Sequence, residues 1–244
     1  MADTKRVKKV YLKGYAKNQT LLYNDRLVKA LSVAQEVVSK KRERMLDVGC
    51  GDGSFTELLG KSIQIKKMYG IDIAPDAVRK AKTRGIEAKL LDTDLHRFPF
   101  PSAHFDFIYC GNLVELVADA DHLLMEINRV LKKDGVVIMT FPNIASWLSR
   151  IALLFGFLPY YSRISTQYDL GKMFVKTTKG QSTGFIRLFN ISSFTELAKL
   201  YGLKVEKTYG VREQALPMPL QIIDKLFSRR PQLAFKIICV LTKA

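Results

Sequence analysis

Apolar residues recur at helical spacing over residues 21–39, where Leu22, Leu27, Leu31, Ala34 and Val38 share one face. From residue 45 the period changes. Short apolar runs at 45–49, 67–72, 86–91, 105–110 and 135–141 read as buried strands. Helix signals lie between them. Ser54-Phe55-Thr56-Glu57 matches a capping box, with Gly60 as a stop. Pro75 suits the first turn of a helix running to Arg84, and residues 120–131 carry a further helical stripe. Strand and helix therefore alternate from 45 to 141, which predicts an α/β fold with a parallel sheet covered on both faces.

The alternation stops at Pro142-Asn143. Residues 143–190 have weak periodicity and many aromatics: Trp147, Phe155, Phe157, Tyr160, Tyr161, Tyr168 and Phe174. Connections this long are commonly functional lids or disordered. Trp147, Leu148, Ile151, Leu154 and Phe155 recur at helical spacing, which fits a helix covering the core. It fits equally an amphipathic lid against an apolar substrate or a membrane interface, with Arg150 and Arg163 at its polar edge. Ser193-Phe194-Thr195-Glu196 repeats the capping pattern, and that helix should close at Gly202. Runs at 203–211 and 234–242 read as the last two strands. An apolar helix near 220–227 precedes Arg229-Arg230.

Composition adds little about fold: 48% of the 244 residues are apolar and 25% charged, which excludes disorder as the main state. Charge says more. The net charge is +16, and residues 1–44 hold twelve Lys and Arg against four Asp and Glu. Such an excess points to an anionic partner: a lipid headgroup surface, an acidic substrate, or nucleic acid such as RNA, whose phosphates Lys5, Arg6, Lys8, Lys9, Lys13 and Lys17 would follow. A solvated basic face is the plainer alternative. Cys50, Cys110 and Cys239 are scattered, so neither a disulfide framework nor a zinc site is expected. Residues 1–10 lack the apolar core of a secretory signal, and the apolar run 151–161 is short of a bilayer span. The expectation is a cytoplasmic protein, with attachment to the inner face of a membrane as an open extension.

Asp47-Val48-Gly49-Cys50-Gly51-Asp52-Gly53 links the first strand to the first helix of the sheet. Glycines there let backbone amides approach a ligand at a helix N-terminus, where negative charge is favoured. Asp72 ends the second strand, where a carboxylate can accept both hydroxyls of a ribose. Loop and acid together indicate a nucleoside ligand, and the G-x-G-x-G spacing departs from the G-x-G-x-x-G of dinucleotide sites.

The stretches LDVGCGDGSF (46–55), YGIDIAPDAV (69–78), DTDLHRFPFPSAHFDFIYCGNLVEL (92–116) and LMEINRVLKKDGVVIMTFPN (124–143) carry a resemblance. In order and spacing they resemble the core of class I S-adenosylmethionine-dependent methyltransferases, in the type 11/12-like small-molecule branch. The segment 186–206 is similar to that family's distal half. The resemblance implies a Rossmann-like, doubly wound, seven-stranded sheet, mostly parallel with an antiparallel last strand, plus a lid insertion. It implies a basic segment and helix over 1–44 and a methyltransferase domain over 45–244, with 143–190 as the substrate lid. The implied cofactor is S-adenosyl-L-methionine. Gly49 and Gly51, with Cys50 between them, would line its methionine part, and Asp72, followed by Ile73, its ribose. Asp94 would receive the adenine amino group, and Leu95 would offer its amide to the ring. Cys110 and Asn112 would approach the methionine amine, with Asp47 beside the loop.

Methyl transfer is a direct displacement that rests mainly on positioning, so no enzyme nucleophile or metal is expected. No residue presents itself as a general base. His96, His104 and His122 are isolated, and the family's histidines are replaced here by Leu116 and Phe185. Tyr160, Tyr161, Tyr168 and Arg187 are the candidates for orienting an acceptor. The acceptor expected is a small or lipid-like molecule. The alternatives are an RNA methyltransferase with a basic N-terminal arm and a non-catalytic S-adenosylmethionine-binding partner protein. Oligomeric state is left open.

Overall fold

The structure is a computed structural model that describes residues 25–38, 42–165, 167–173, 178–179 and 185–244. Leu22, Phe174 and the basic residues from Lys5 to Lys17 lie outside the described residues.

Helix α1 (Asp25–Val37) precedes strand β1 (Arg44–Val48), and α2 (Ser54–Ser62) leads to β2 (Lys67–Asp72). Then come α3 (Pro75–Thr83), β3 (Glu87–Leu90), β4 (Phe105–Gly111), α4 (Ala120–Val130) and β5 (Leu131–Pro142). The expected insertion holds α5 (Trp147–Leu154) and the short strands β6 (Tyr168–Asp169) and β7 (Thr178–Lys179). Helix α6 (Ile191–Leu200), β8 (Leu203–Val211), α7 (Met218–Phe227) and β9 (Lys236–Lys243) complete the chain.

Seven strands form one sheet in the order β3-β2-β1-β4-β5-β9-β8. β1 pairs in parallel with β2 and β4, while β9 runs antiparallel between β5 and β8. The last strand is thus the antiparallel one, as expected. The period of two along each strand sorts side chains onto two faces. Leu46, Ile108, Met139 and Cys239 face α4 and α6 in one apolar cluster. Met45, Phe107, Ile138 and Val240 face α1 and α2 in another. Burial on both faces explains why these strands read as continuous apolar runs rather than alternating ones.

Two helix starts differ from expectation. Gly53, at φ 78°, holds the N-cap of α2, and the Ser54 amide donates to Asp52 Oδ1 at 3.0 Å. Residue 53 has to be glycine: a Cβ there would stand 2.5 Å from Ile86 Cδ1 and 3.0 Å from Ala81 Cα. Gly60 stays inside α2, with Met68 packed against it. At α6 the cap is Asn190, not Ser193. Asn190 Oδ1 accepts the Ser193 amide at 2.9 Å, and the Asn190 amide donates to Ser193 Oγ at 3.2 Å. Two short polar side chains close that box reciprocally, so no glutamate is needed. Gly202, at φ 68°, closes α6 as expected.

The insertion is anchored on its own cluster of Trp147, Leu148, Tyr161, Leu216 and Phe235. Asp224 of α7 is buried there, accepting Trp147 Nε1–H and the Glu213 amide, each at 2.8 Å. Those bonds tie the start of α5 to α7, and the Trp147 and Phe227 rings stack 5.4 Å apart. No described helix is long and apolar enough to cross a membrane.

Candidate active site

From β1 the chain steps outward to β2 and β3, then returns to β4 on β1's other side. Loops at such a reversal diverge and leave a crevice at the carboxyl ends of the strands. A cleft of about 710 Å³, open to solvent, lies there. Gly49 follows β1, Asp72 and Ile73 lie at the end of β2, and Asp94 lies beyond β3. Gly111 and Asn112 lie at the end of β4, and all six line this one cleft.

Asp72 organises the floor. Its Oδ2 accepts the Gly51 amide at 2.8 Å and its Oδ1 accepts the Ala74 amide at 2.9 Å. One carboxylate thus clamps the glycine loop to the start of α3. Burial pushes its pKa up, against the pull of these amides. Each carboxylate oxygen has a second lone-pair direction, so the group retains acceptor capacity toward the cleft.

Asp94 is placed by the loop before β4. Glu126 and Arg129 of α4 pair, Glu126 accepts the Phe98 amide at 2.7 Å, and Arg129 donates to the carbonyls of Phe98 and Phe100. Asp94 Oδ1 itself accepts the amides of Ala118 (2.9 Å) and Asp119 (3.2 Å) at the entry to α4.

Asn112 adopts a left-handed φ of 53°, which Asn tolerates better than most residues. Two bonds hold it: its amide donates to the Thr140 carbonyl at 2.8 Å, and Thr140 Oγ1 donates to Asn112 Oδ1 at 2.9 Å. Behind them, Arg26 of α1 donates to Tyr109 OH at 2.9 Å and to Thr140 Oγ1 at 3.3 Å. A residue from the basic N-terminal region therefore supports the rim from below.

Other sequence candidates fall elsewhere. Asp47 is buried under the loop, bonded by Thr56 Oγ1 at 2.5 Å, with its pKa pushed up to about 7 by burial. Cys50 packs with Val78, Ala81 and Ile86, away from the lining, and burial raises its pKa. Cys110 is fully buried and likewise raised. Gly51 reaches the site through its amide to Asp72. The Leu95 amide donates to the Asp92 carbonyl at 3.2 Å, and its side chain is exposed.

None of Tyr160, Tyr161, Tyr168 and Arg187 lines the cleft. Tyr161 is buried in the insertion cluster and donates to Glu213 Oε2 at 2.8 Å, with Tyr160 packed beside it. Tyr168 is exposed in β6. Arg187 donates to the Ala118 carbonyl, so it fastens the rim. The histidines have structural surroundings too. His104 packs edge-on to Phe105 at 4.9 Å, with burial lowering its pKa, and a His122 ring nitrogen lies 3.2 Å from the His96 carbonyl.

Two features escaped the sequence reading. Leu113, Leu116 and Val117 form an apolar wall of the cleft. Between them Glu115 is fully buried, and neither side-chain oxygen has a hydrogen-bond partner among the described residues. Its carbonyl accepts the amides of Ile186 (2.8 Å) and Arg187 (3.1 Å), which straps the returning insertion to the wall. Burial pushes the Glu115 carboxyl up to about 8. The one available signal was a lone acid inside the apolar run Leu113-Val114-Glu115-Leu116-Val117.

Comparison with known proteins bears directly on this cleft. A family model described as "Methyltransferase domain" matches residues 46–139. Demethylmenaquinone methyltransferase of Staphylococcus aureus is 30% identical over 195 residues, covering 72% of this chain and 77% of that protein. Probable methyltransferase PMT28 of Arabidopsis thaliana is 32% identical over 137 residues, 53% of this chain but only 19% of the plant protein. Among solved structures, a Haloferax volcanii protein in complex with the Trm112 methyltransferase activator superposes with a TM-score of 0.63 at 16% identity, covering 99% of this chain and 97% of that one. A TehB-like SAM-dependent methyltransferase from Corynebacterium glutamicum gives 0.55 at 18% identity, covering 99% and 96%.

Proposed function

The chain belongs to the S-adenosylmethionine-dependent methyltransferases, and from that premise we propose that it methylates a small, lipid-like acceptor at an anionic membrane surface. The observation that carries the acceptor class is the mixed lining of the cleft. Carboxylates Asp72 and Asp94 line it together with the apolar side chains of Leu113, Leu116 and Val117. A polar nucleoside suits the first and an apolar acceptor the second. The bacterial relative named for demethylmenaquinone supports the same class.

The residues present fit the cofactor. Asp72 is prepositioned by two amides and would accept the ribose hydroxyls. Gly49 and Asn112 would surround the methionine part, with Gly51 held beside them by Asp72, and Asp94 would receive the adenine amino group. Bound S-adenosylmethionine supplies a methyl group activated on a positively charged sulfur. The chain's own task is alignment and exclusion of water, which can supply ~7–11 kcal/mol when reacting atoms are held close. The apolar wall serves that task, and the bond from the Ile186 amide to the Glu115 carbonyl fastens the end of the insertion to it.

Transfer of labelled methyl from S-adenosylmethionine tests the proposal, with demethylmenaquinone and other apolar acceptors in anionic vesicles beside soluble small molecules and RNA. Label should enter the lipid phase. Label in RNA, with a steep salt dependence of binding, would establish the RNA alternative. Cofactor bound but intact across the whole panel would mark a non-catalytic binding protein.

Because no histidine lines the cleft, replacing His96, His104 and His122 together should change turnover less than about tenfold, under ~1.4 kcal/mol of barrier. A loss of about a hundredfold or more in a folded variant would restore a histidine base.

A further inference from the structure

Helices α5 and α7 each turn one face to the cluster of Trp147, Tyr161 and Phe235. Their outer faces are apolar as well. At the end of α5, Leu154 is 79% and Phe155 66% exposed, with Phe157 just beyond. On α7, Met218, Ile222 and Leu226 form a stripe at i, i+4 spacing, Ile222 being 69% exposed. Long apolar side chains left in water along both helices in this way mark an interaction surface.

The exposed charges on these two helices and just past α7 have one sign. Arg150 lies on α5, Lys225 on α7, and Arg229 and Arg230 just past it, all exposed. The one acid on these two helices, Asp224, is buried and accepts Trp147 Nε1–H and the Glu213 amide. Exposed apolar stripes flanked by cations and free of exposed carboxylate complement an anionic bilayer: the side chains enter the headgroup boundary and the cations meet lipid phosphates. A second copy seated on this face would bring like-charged flanks together, whereas lipid phosphates complement them.

We infer that the outer faces of α5 and α7 are the surface by which this protein docks on anionic lipid, with Leu154, Phe155, Ile222 and Leu226 inserting. The assignment rests on the membrane reading above and adds which part of the molecule meets the bilayer. Both helices are anchored to the cluster beneath the insertion, and the insertion returns to the cleft through Ile186 and Arg187. Docking therefore brings lipid to the element that is fastened to the apolar wall of the cleft.

Co-sedimentation with phosphatidylglycerol and phosphatidylcholine vesicles decides it. The wild-type protein should bind phosphatidylglycerol vesicles, weakly bind phosphatidylcholine, and release as salt rises. Leu154→Asn with Phe155→Asn, and separately Ile222→Asn with Leu226→Asn, should each lower partitioning about tenfold or more, since apolar insertion is lost. Both pairs are solvent-exposed, and unchanged circular dichroism and S-adenosylmethionine affinity check that the fold is kept. Arg229→Ala with Arg230→Ala should flatten the salt dependence. Wild-type protein that ignores vesicles of every composition overturns the membrane reading and this surface with it. Wild-type binding that both apolar variants retain overturns the surface alone. A dimer in sedimentation velocity that these substitutions abolish, without vesicle binding, assigns the face to a second copy and overturns the inference.

Discussion

Asp72→Ala should weaken S-adenosylmethionine binding by ~1.5–3 kcal/mol, about tenfold to over a hundredfold. Two losses combine. The carboxylate would no longer accept from the ribose, and the amides of Gly51 and Ala74 would lose their shared acceptor, at 2.8 and 2.9 Å, so the glycine loop would come off the start of α3. Asp72→Asn separates the two. It keeps one carbonyl oxygen, so it should retain part of the loop geometry while losing the charge-assisted bonds, and should fall between wild type and Asp72→Ala. Isothermal titration calorimetry on the three proteins is the measurement, with thermal unfolding to confirm that each is folded. Affinity unchanged in Asp72→Ala would remove Asp72 from the site, and preferential binding of a nicotinamide dinucleotide by the wild type would refute the cofactor assignment at this cleft.

Glu115→Gln should stabilise the protein increasingly as pH rises above about 4.5. The Glu115 carboxyl is fully buried, has no hydrogen-bond partner among the described residues, and is pushed up to about 8 from an ordinary 4.5. Below about pH 4.5 both folded and unfolded chains hold this proton and nothing is gained or lost. As pH rises, the unfolded chain releases the proton first, so the folded state loses stability through the window up to about 8, then no further. At ~1.4 kcal/mol per pH unit, an effective penalty of roughly 2–4 kcal/mol at pH 9 is expected. Glutamine keeps the shape without the ionisation. Urea unfolding from pH 5 to 9 should show the two proteins alike at the acid end and the variant more stable at the alkaline end. Asp47 shifts in the same direction, so part of the wild-type decline should persist in the variant. A variant with the wild-type pH profile, or one less stable at pH 9, would mean that Glu115 is ionised and partnered in the folded protein.

Much of the molecule is written locally. Strand β2 occupies the expected residues 67–72, and the glycine loop and Asp72 stand at consecutive strand ends, as their sequence placement required. Local signals suffice there because a buried strand needs an unbroken apolar run and a strand-to-helix turn needs glycine. The caps show where that logic stops. Ser54 and Ser193 both match the capping pattern, yet Gly53 and Asn190 hold the caps. At residue 53 glycine is demanded by Ile86 and Ala81, which approach from the entry to β3 and from α3, about thirty positions along the chain.

The same limit governs the site. Sequence placed Gly49, Asp72, Asp94 and Asn112 at separate loops, and only the sheet order, with β4 returning beside β1, brings them to one cleft. It could not foresee that Tyr161 turns into the insertion cluster, that Arg26 reaches Thr140 from a helix over a hundred positions earlier, or that Glu115 is sealed without a partner. Residue type and spacing determine which elements form, because the repeat of each element is set within a few residues. Which side chains meet, which lose water and which of two apolar helix faces stays uncovered depend on contacts between distant segments, and these exist only once the sheet has closed.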